Sequence, residues 1–355
     1  MADNNLAGPG VQAGHIKHRF INDYSELAHP EIITALASAG IKQFNGYGLD
    51  EASLRAAELI KSRLGAPSVD VHFISGGTQT NMVVLSSMLR PIDAVIAPVR
   101  GHISIHETGA IEATGHKICT TGSTGGKLDV AEIDKIVLEH DDEHMVIPRV
   151  VYISQSTECG TVYTKRELTA ISEYCRKNKL YLYIDGARLG AALNSPACDL
   201  TYNDITNLAD AFYIGGTKNG ALFGEAIVIC NDELKVDFRH VLKQRGAMLA
   251  KGASVGLQFE AFFKDGLYDR IAARTNELAH KMAAGIKAAG YGFQYPAETN
   301  QLFPVFPAEI ADKLHKLYDF YNWLEVDGGY AARIVLSWAT QESTVDEFLR
   351  DLAAL

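Results

Sequence analysis

Two segments of the chain hold charged residues where chemistry needs them: Tyr183-Ile184-Asp185-Gly186-Ala187-Arg188 and Tyr213-Ile214-Gly215-Gly216-Thr217-Lys218-Asn219-Gly220. In each, an apolar, β-branched and aromatic run breaks into glycine where a charged residue appears, the pattern of a buried strand emptying into a site. A lysine can form an imine, a carboxylate can keep a ring nitrogen protonated, and an arginine can grip a carboxylate with a two-pronged fork. An acid, an arginine three residues on and a glycine-flanked lysine further along are the parts of a Schiff-base site for pyridoxal 5'-phosphate (PLP).

Each residue also has a plainer reading. Lys218 alone is a surface-loop lysine, although glycines beside it let backbone approach a cofactor and partial burial eases loss of its proton. Asp185 ends a run of Tyr, Leu and Ile, where an unpaired carboxylate costs several kcal/mol, on the order of the burial penalty per ion. It needs a cation, which is either a ligand or Arg188. The glycine turn Ser75-Gly76-Gly77-Thr78-Gln79 lies between a strand and a helix and offers Gly77, Thr78 and Gln79 as a phosphate cradle, or is a simple cap. His102, in the next loop, can stack on a pyridine ring or move a proton, or is a satisfied loop histidine. Arg188 and Arg333, both in strand-like apolar surroundings, suit a carboxylate clamp.

The elements that must position these residues are visible in the patterning. Leu49–Leu64 alternates like an amphipathic helix ended by Gly65-Ala66-Pro67, Val69–Ile74 like a strand, and Met82–Leu89 like a helix. Thr164-Lys165-Arg166-Glu167 has the form of a capping box and predicts a helix to Lys177. Strands near Val150, Leu180 and Ala211 recur at the length of a βαβ unit, which predicts a largely parallel sheet covered on both faces. Glu225–Cys230 follows Lys218 too soon for a crossover helix and is expected to pair antiparallel at a sheet edge. A helical stretch from Lys251 to Ala289 breaks at Lys264-Asp265-Gly266. The expected division is a mobile tail over 1–19, a large domain over 20–265 and a small C-terminal α/β domain over 266–355.

The 355 residues carry a formal net charge of -10, which argues against a nucleic-acid partner, and no apolar run reaches the length that spans a bilayer. Met1–His15 is polar and lacks the apolar centre of a signal peptide. Five cysteines with no close pair read as free thiols in a reducing compartment, hence a cytoplasmic protein. Cys159 reads as core filler beside the site. The histidines show no metal-ligand spacing, so no metal is expected.

The ordered set Tyr47-Gly48-x-Asp50, Gly76-Gly77-Thr78, His102 with Glu107, Asp185-Gly186-Ala187-Arg188, Lys218 and Arg333 resembles the threonine aldolase branch of the β-eliminating lyase family. The resemblance runs from about Phe20 onward. It implies a fold-type I, aspartate aminotransferase-like architecture: a large PLP-binding domain with a mainly parallel sheet, plus the small domain. It makes Lys218 the Schiff-base lysine, Asp185 the partner of the pyridine nitrogen, His102 the ring-stacking group, and Arg188 with Arg333 the substrate-carboxylate arginines. Tyr47 and Lys251 then reach a neighbouring copy's cofactor in a homodimer or homotetramer, Lys251 standing where an arginine is usual. Asn22 stands where a serine is common, and Glu158 where many members place a histidine near the substrate hydroxyl. The implied reaction cleaves L-β-hydroxy-α-amino acids of the threonine, allo-threonine or phenylserine type to glycine and an aldehyde, with His102 or Glu158 as base. β-Elimination, transamination, racemisation or PLP binding without turnover are the alternatives on the same scaffold.

Overall fold

The computed structural model of the protein describes residues 16–122 and 125–355; the first fifteen residues of the expected tail lie outside the described residues. A seven-stranded sheet runs in the order Asp70–Ile74, Glu225–Ile229, Ala211–Gly215, Tyr181–Asp185, Ile147–Ser154, Asp93–Pro98, Lys117–Thr121. All pairings are parallel except those of Glu225–Ile229, which is antiparallel to both neighbours. That strand was expected at the edge and is instead interior. The short link from Gly215 allows only a chain reversal, and the run Ala226–Ile229 is wholly buried, so it takes a neighbour on each side.

Six strands of one sense send their C-terminal ends to a single edge. Ser154 lies opposite Asp185 there, and Glu225 lies opposite both Gly215 and Ile74. Side-chain alternation feeds two cores: Leu182 and Ile184 face one, Tyr183 the other. The first is covered by the helices Glu51–Leu64, Lys165–Lys177 and Ala253–Lys264, the second by Gly77–Met88 and Phe238–Gln244. The helix starts follow local chemistry. Thr164 and Glu167 form the expected reciprocal capping box, Asp129 and Glu132 form another, and Gly65 ends its helix at φ 65°.

A third core gathers around Gly329–Val335, which pairs with Val305–Pro307, Tyr321–Val326 and Gln301–Leu302. The long helix Leu267–Ala288 serves two cores: Leu267, Tyr268 and Ile271 enter the first, and Leu278, Met282 and Ile286 the third. The change of core therefore falls inside this helix, beyond the break near residue 265. His18 and Arg19, expected to fall in the tail, form a strand instead. His18–Arg19 pairs in parallel with Tyr318–Asp319, because Phe20, 1% exposed, is anchored in the third core and draws the preceding residues onto that strand.

Candidate active site

Asp185 is 3% exposed at the sheet's C-terminal edge, and its carboxylate accepts four hydrogen bonds. Oδ1 receives the Tyr213 hydroxyl (2.6 Å) and the Ala187 N–H (3.0 Å), and Oδ2 the Tyr152 hydroxyl (2.7 Å) and the Asn81 amide (3.1 Å). Burial pushes its pKa up, but the charge of His102, the two phenols and the Ala187 N–H outweigh it and hold the group below the ordinary carboxylate range. Of the two partners considered from sequence, Arg188 is not in contact with the carboxylate: it pairs with Asp23, while neutral donors and the charge of His102 stabilise Asp185. Tyr152, Tyr213 and Asn81 were not singled out from sequence, because inward-facing residues of apolar runs read as core.

Lys218 sits in the short turn Thr217–Asn219 directly after the strand Ala211–Gly215. Burial and the Arg188 charge lower its pKa, against Asp23, Asp185 and Glu225. The glycines do more than leave room for a ligand. A side chain at Gly186 would collide with the Tyr213 carbonyl and one at Gly215 with the Ala187 carbonyl, while the Gly215 N–H bonds the Gly186 carbonyl at 2.9 Å. The two strand ends that carry the acid and the lysine thus lie backbone against backbone.

The two arginines read alike in the sequence and differ in the structure. Arg188 donates Nε and Nη2 to Asp23 at 2.6 and 3.0 Å, a bidentate pair in which Asp23 is 1% exposed. Asn300 also donates to Asp23 (3.0 Å). Despite burial, the Arg188 charge holds the Asp23 carboxyl down at about 2. Arg333 has no carboxylate partner among the described residues. It donates to the Ile21 carbonyl (3.2 Å) and Gln301 Oε1 (2.8 Å), lies 5.5 Å from the Trp323 ring, and leaves Nε buried and unpaired. Burial first, then the Arg188 charge, push it down to about 10. Asp23 was missed although it adjoins Asn22. Asn22 itself spends Oδ1 on Tyr24 N–H (2.9 Å) and Ser25 Oγ (3.0 Å), closing its own turn beside a groove lined by His18 and Thr344.

His102 follows the strand Asp93–Pro98. Its Nδ1 lies 2.7 Å from Glu107 Oε1, which also accepts from Asn81 (2.7 Å), so a polar chain links Asp185 to His102 through Asn81 and Glu107. Glu158 Oε1 accepts the His102 N–H (3.0 Å) and Ser154 Oγ (2.7 Å), while Oε2 is buried and unpaired. Burial, and less strongly the Asp185 charge, raise the Glu158 pKa over the opposing pull of Ser154 and His102. The structure therefore brings Lys218, Asp185, His102, Glu158, Arg188 and Arg333 to one region.

The helix Gly77–Met88 starts at Gly76 with no side-chain cap, leaving first-turn N–H groups of Gly77, Thr78 and Gln79 for an anion. The Gln79 side chain turns inward, accepting from Ser75 Oγ (2.6 Å) and reaching the Arg245 carbonyl, so only its backbone can serve there. Tyr47 and Lys251 stand apart. Tyr47, at φ 62° and 43% exposed, lies with its ring 4.6 Å from Lys243 Nζ, and Lys251 is exposed ahead of the helix Ala253–Lys264. Cys159 is buried and its thiol is pushed up to about 11, which keeps it protonated.

These residues fit PLP. A carboxylate kept ionised, an uncapped helix start, a lysine disposed to lose its proton and a half-buried guanidinium without an anion among the described residues are what a protonated ring nitrogen, a phosphate, an aldehyde and an amino-acid carboxylate require. The chain matches the family described as β-eliminating lyase over residues 28–309. A low specificity L-threonine aldolase of Pseudomonas sp. is 34% identical over 340 residues, 94% of this chain and 96% of that protein. One of Pseudomonas aeruginosa is 31% identical over 342 residues, 95% and 97% of the two. Among solved structures, a threonine aldolase of Leishmania major aligns with a TM-score of 0.93 at 48% identity, covering 95% of this chain and 99% of that one. A mutant aspartate aminotransferase of Thermus thermophilus aligns with a TM-score of 0.72 at 14% identity over 96% and 92%, a likeness of fold. The chain belongs to the β-eliminating lyase family and is a PLP-dependent lyase.

Proposed function

We propose that the protein cleaves L-β-hydroxy-α-amino acids of the threonine, allo-threonine and phenylserine type into glycine and an aldehyde, with PLP held at Lys218. The observation that carries the reading is Arg333: a half-buried guanidinium with a buried, unpaired Nε and no anion among the described residues, in the same region as Lys218 and Asp185, suits a substrate carboxylate. The names of the Pseudomonas and Leishmania relatives support the aldolase chemistry.

When bound, PLP supplies an electron sink for the bond broken at Cα. The protein's part is to bind, orient and move protons. Asp185 would keep a negative charge beside the ring nitrogen, and the Gly77 and Thr78 N–H groups would hold the phosphate. Arg333 would hold the substrate carboxylate and so orient the groups at Cα. His102, oriented by Glu107, would stack on the ring. The β-hydroxyl proton goes to the unpaired Glu158 Oε2, whose raised pKa makes it a better acceptor than an ordinary carboxylate, or to His102 Nε2. The same number of protons returns to Cα when glycine leaves. The working unit is a homodimer or homotetramer in which Tyr47 and Lys251 complete a neighbour's site. The exposed Leu27, Ile33, Ile41, Leu49 and Leu54 supply apolar surface for that contact. Free cysteines support a cytoplasmic setting.

The test is incubation with PLP and L-threonine, L-allo-threonine or L-phenylserine, measuring aldehyde and glycine in equal amounts; no product from any of the three overturns the aldolase reading. Borohydride should fix PLP to the peptide containing Lys218, and Lys218→Ala should abolish that attachment.

A further inference from the structure

Glu225 takes no part in the mechanism above, yet it is 4% exposed directly beneath the turn that carries Lys218. Its Oε2 accepts the Gly216 N–H and its Oε1 the Thr217 hydroxyl, both at 2.7 Å, and Thr217 Oγ1 in turn accepts the Gly224 N–H at 3.2 Å. The carboxylate thus spans both ends of the loop between two paired strands, where Glu225 lies in register with Gly215. We propose that Glu225 is the positioning residue for Lys218: its carboxylate clamps the Gly216 N–H and the Thr217 hydroxyl on the turn that carries the lysine, and its negative charge sets how readily the lysine amine loses a proton. This rests on the reading that PLP is held at Lys218.

The surroundings single out this pairing. Besides Lys218, the titratable groups facing Glu225 are Tyr213 and Tyr183 from adjacent strands and Tyr268 from the helix Leu267–Ala288, all phenols that burial keeps protonated. Lys218 faces Arg188, Asp23 and Asp185 on its other sides. Arg188 stays charged, and Asp23 and Asp185 are held low, so among these groups only Glu225 changes charge near neutrality. Burial pushes its carboxyl up to about 7, against the Thr217 hydroxyl, the Gly216 N–H and the Lys218 charge. A folded value above the ordinary one means that stability falls as pH rises through that interval, because the folded protein then gives up a proton it held.

The experiment strips the full chain of PLP and follows its reattachment to Lys218 by visible absorbance as a function of pH, with borohydride trapping to locate it. Removing a negative charge beside the amine in Glu225→Gln should lower the midpoint of the rate profile by about one pH unit. Glu225→Asp, which retains the charge one methylene further away, should shift it less and in the same direction. The melting temperature of the loaded protein should fall less between pH 5 and 8, about the interval in which such a carboxyl titrates, in Glu225→Gln than in the parent. Attachment at Lys218 with an unchanged midpoint in Glu225→Gln overturns the inference alone, and an unchanged midpoint in Glu225→Asp does so if the glutamine variant fails to fold. Attachment at another lysine overturns both the inference and the reading beneath it.

Discussion

Arg188 and Arg333 are two largely enclosed guanidinium groups in one region, neither wholly cut off from solvent, and the fold treats them in opposite ways. Arg188 meets a buried carboxylate within the chain, and that pairing raises its pKa despite burial. Arg333 meets a carbonyl, an amide and an indole face, and its pKa is driven down. An enclosed cation is costly unless paired, and among the described residues the chain supplies an anion to Arg188 but none to Arg333. The difference makes the two halves of the expected clamp unequal: Arg188 is anchored by Asp23 within the chain, whereas Arg333 keeps an unpaired Nε, which suits the substrate carboxylate proposed above.

That inequality can be broken from either side. The largest expected effect is on stability in Asp23→Asn, which leaves Arg188 without its anion and should cost about 3 to 5 kcal/mol, measured by urea unfolding. Parent-like stability in that variant would place Arg188 on the same footing as Arg333. Arg333→Gln should lower kcat/KM for a β-hydroxy-α-amino acid by about 2 to 4 kcal/mol, a loss of roughly thirtyfold to a thousandfold, while leaving the unfolding midpoint unchanged or higher. A substantial fall in stability there would show that Arg333 is already satisfied within the chain. The smallest effect is in acid. The Asp23 carboxyl is depressed from 3.8 to about 2, so its contribution is full above its unfolded value and is lost as pH falls through its folded one. Between pH 4 and 2, unfolding measurements should show a loss of about 2 kcal/mol in the parent that is missing from Asp23→Asn.

Much of this was legible in the sequence, and the failures have a common cause. Lys218 and Asp185 could be found because each breaks an apolar run at a glycine, a signal contained within a few neighbouring residues. The helix from Lys165 could be placed because its capping box is equally local. Asp23 could not be matched to Arg188, since the pairing joins residues far apart in the chain and no local pattern announces it. Tyr152, Tyr213 and Asn81 were invisible for another reason: their side chains serve as core and as hydrogen-bond donors together, and composition reports only the first role. The interior position of Glu225–Ile229 depends on Asp70–Ile74 arriving from much earlier in the chain to cover its far side. Glu225 was therefore read as the start of an edge strand, when it stands beneath the lysine turn.

The contact between Gly186 and Gly215 has a consequence for how this site can vary. Neither glycine bears a functional group, yet each occupies space that the other strand's backbone needs, so enlarging one would drive Asp185 and Lys218 apart by displacing the loops that carry them. Tolerance to substitution should thus follow the closeness of main-chain approach more than chemical role. A survey of single replacements should find these two silent positions as intolerant as the lysine itself.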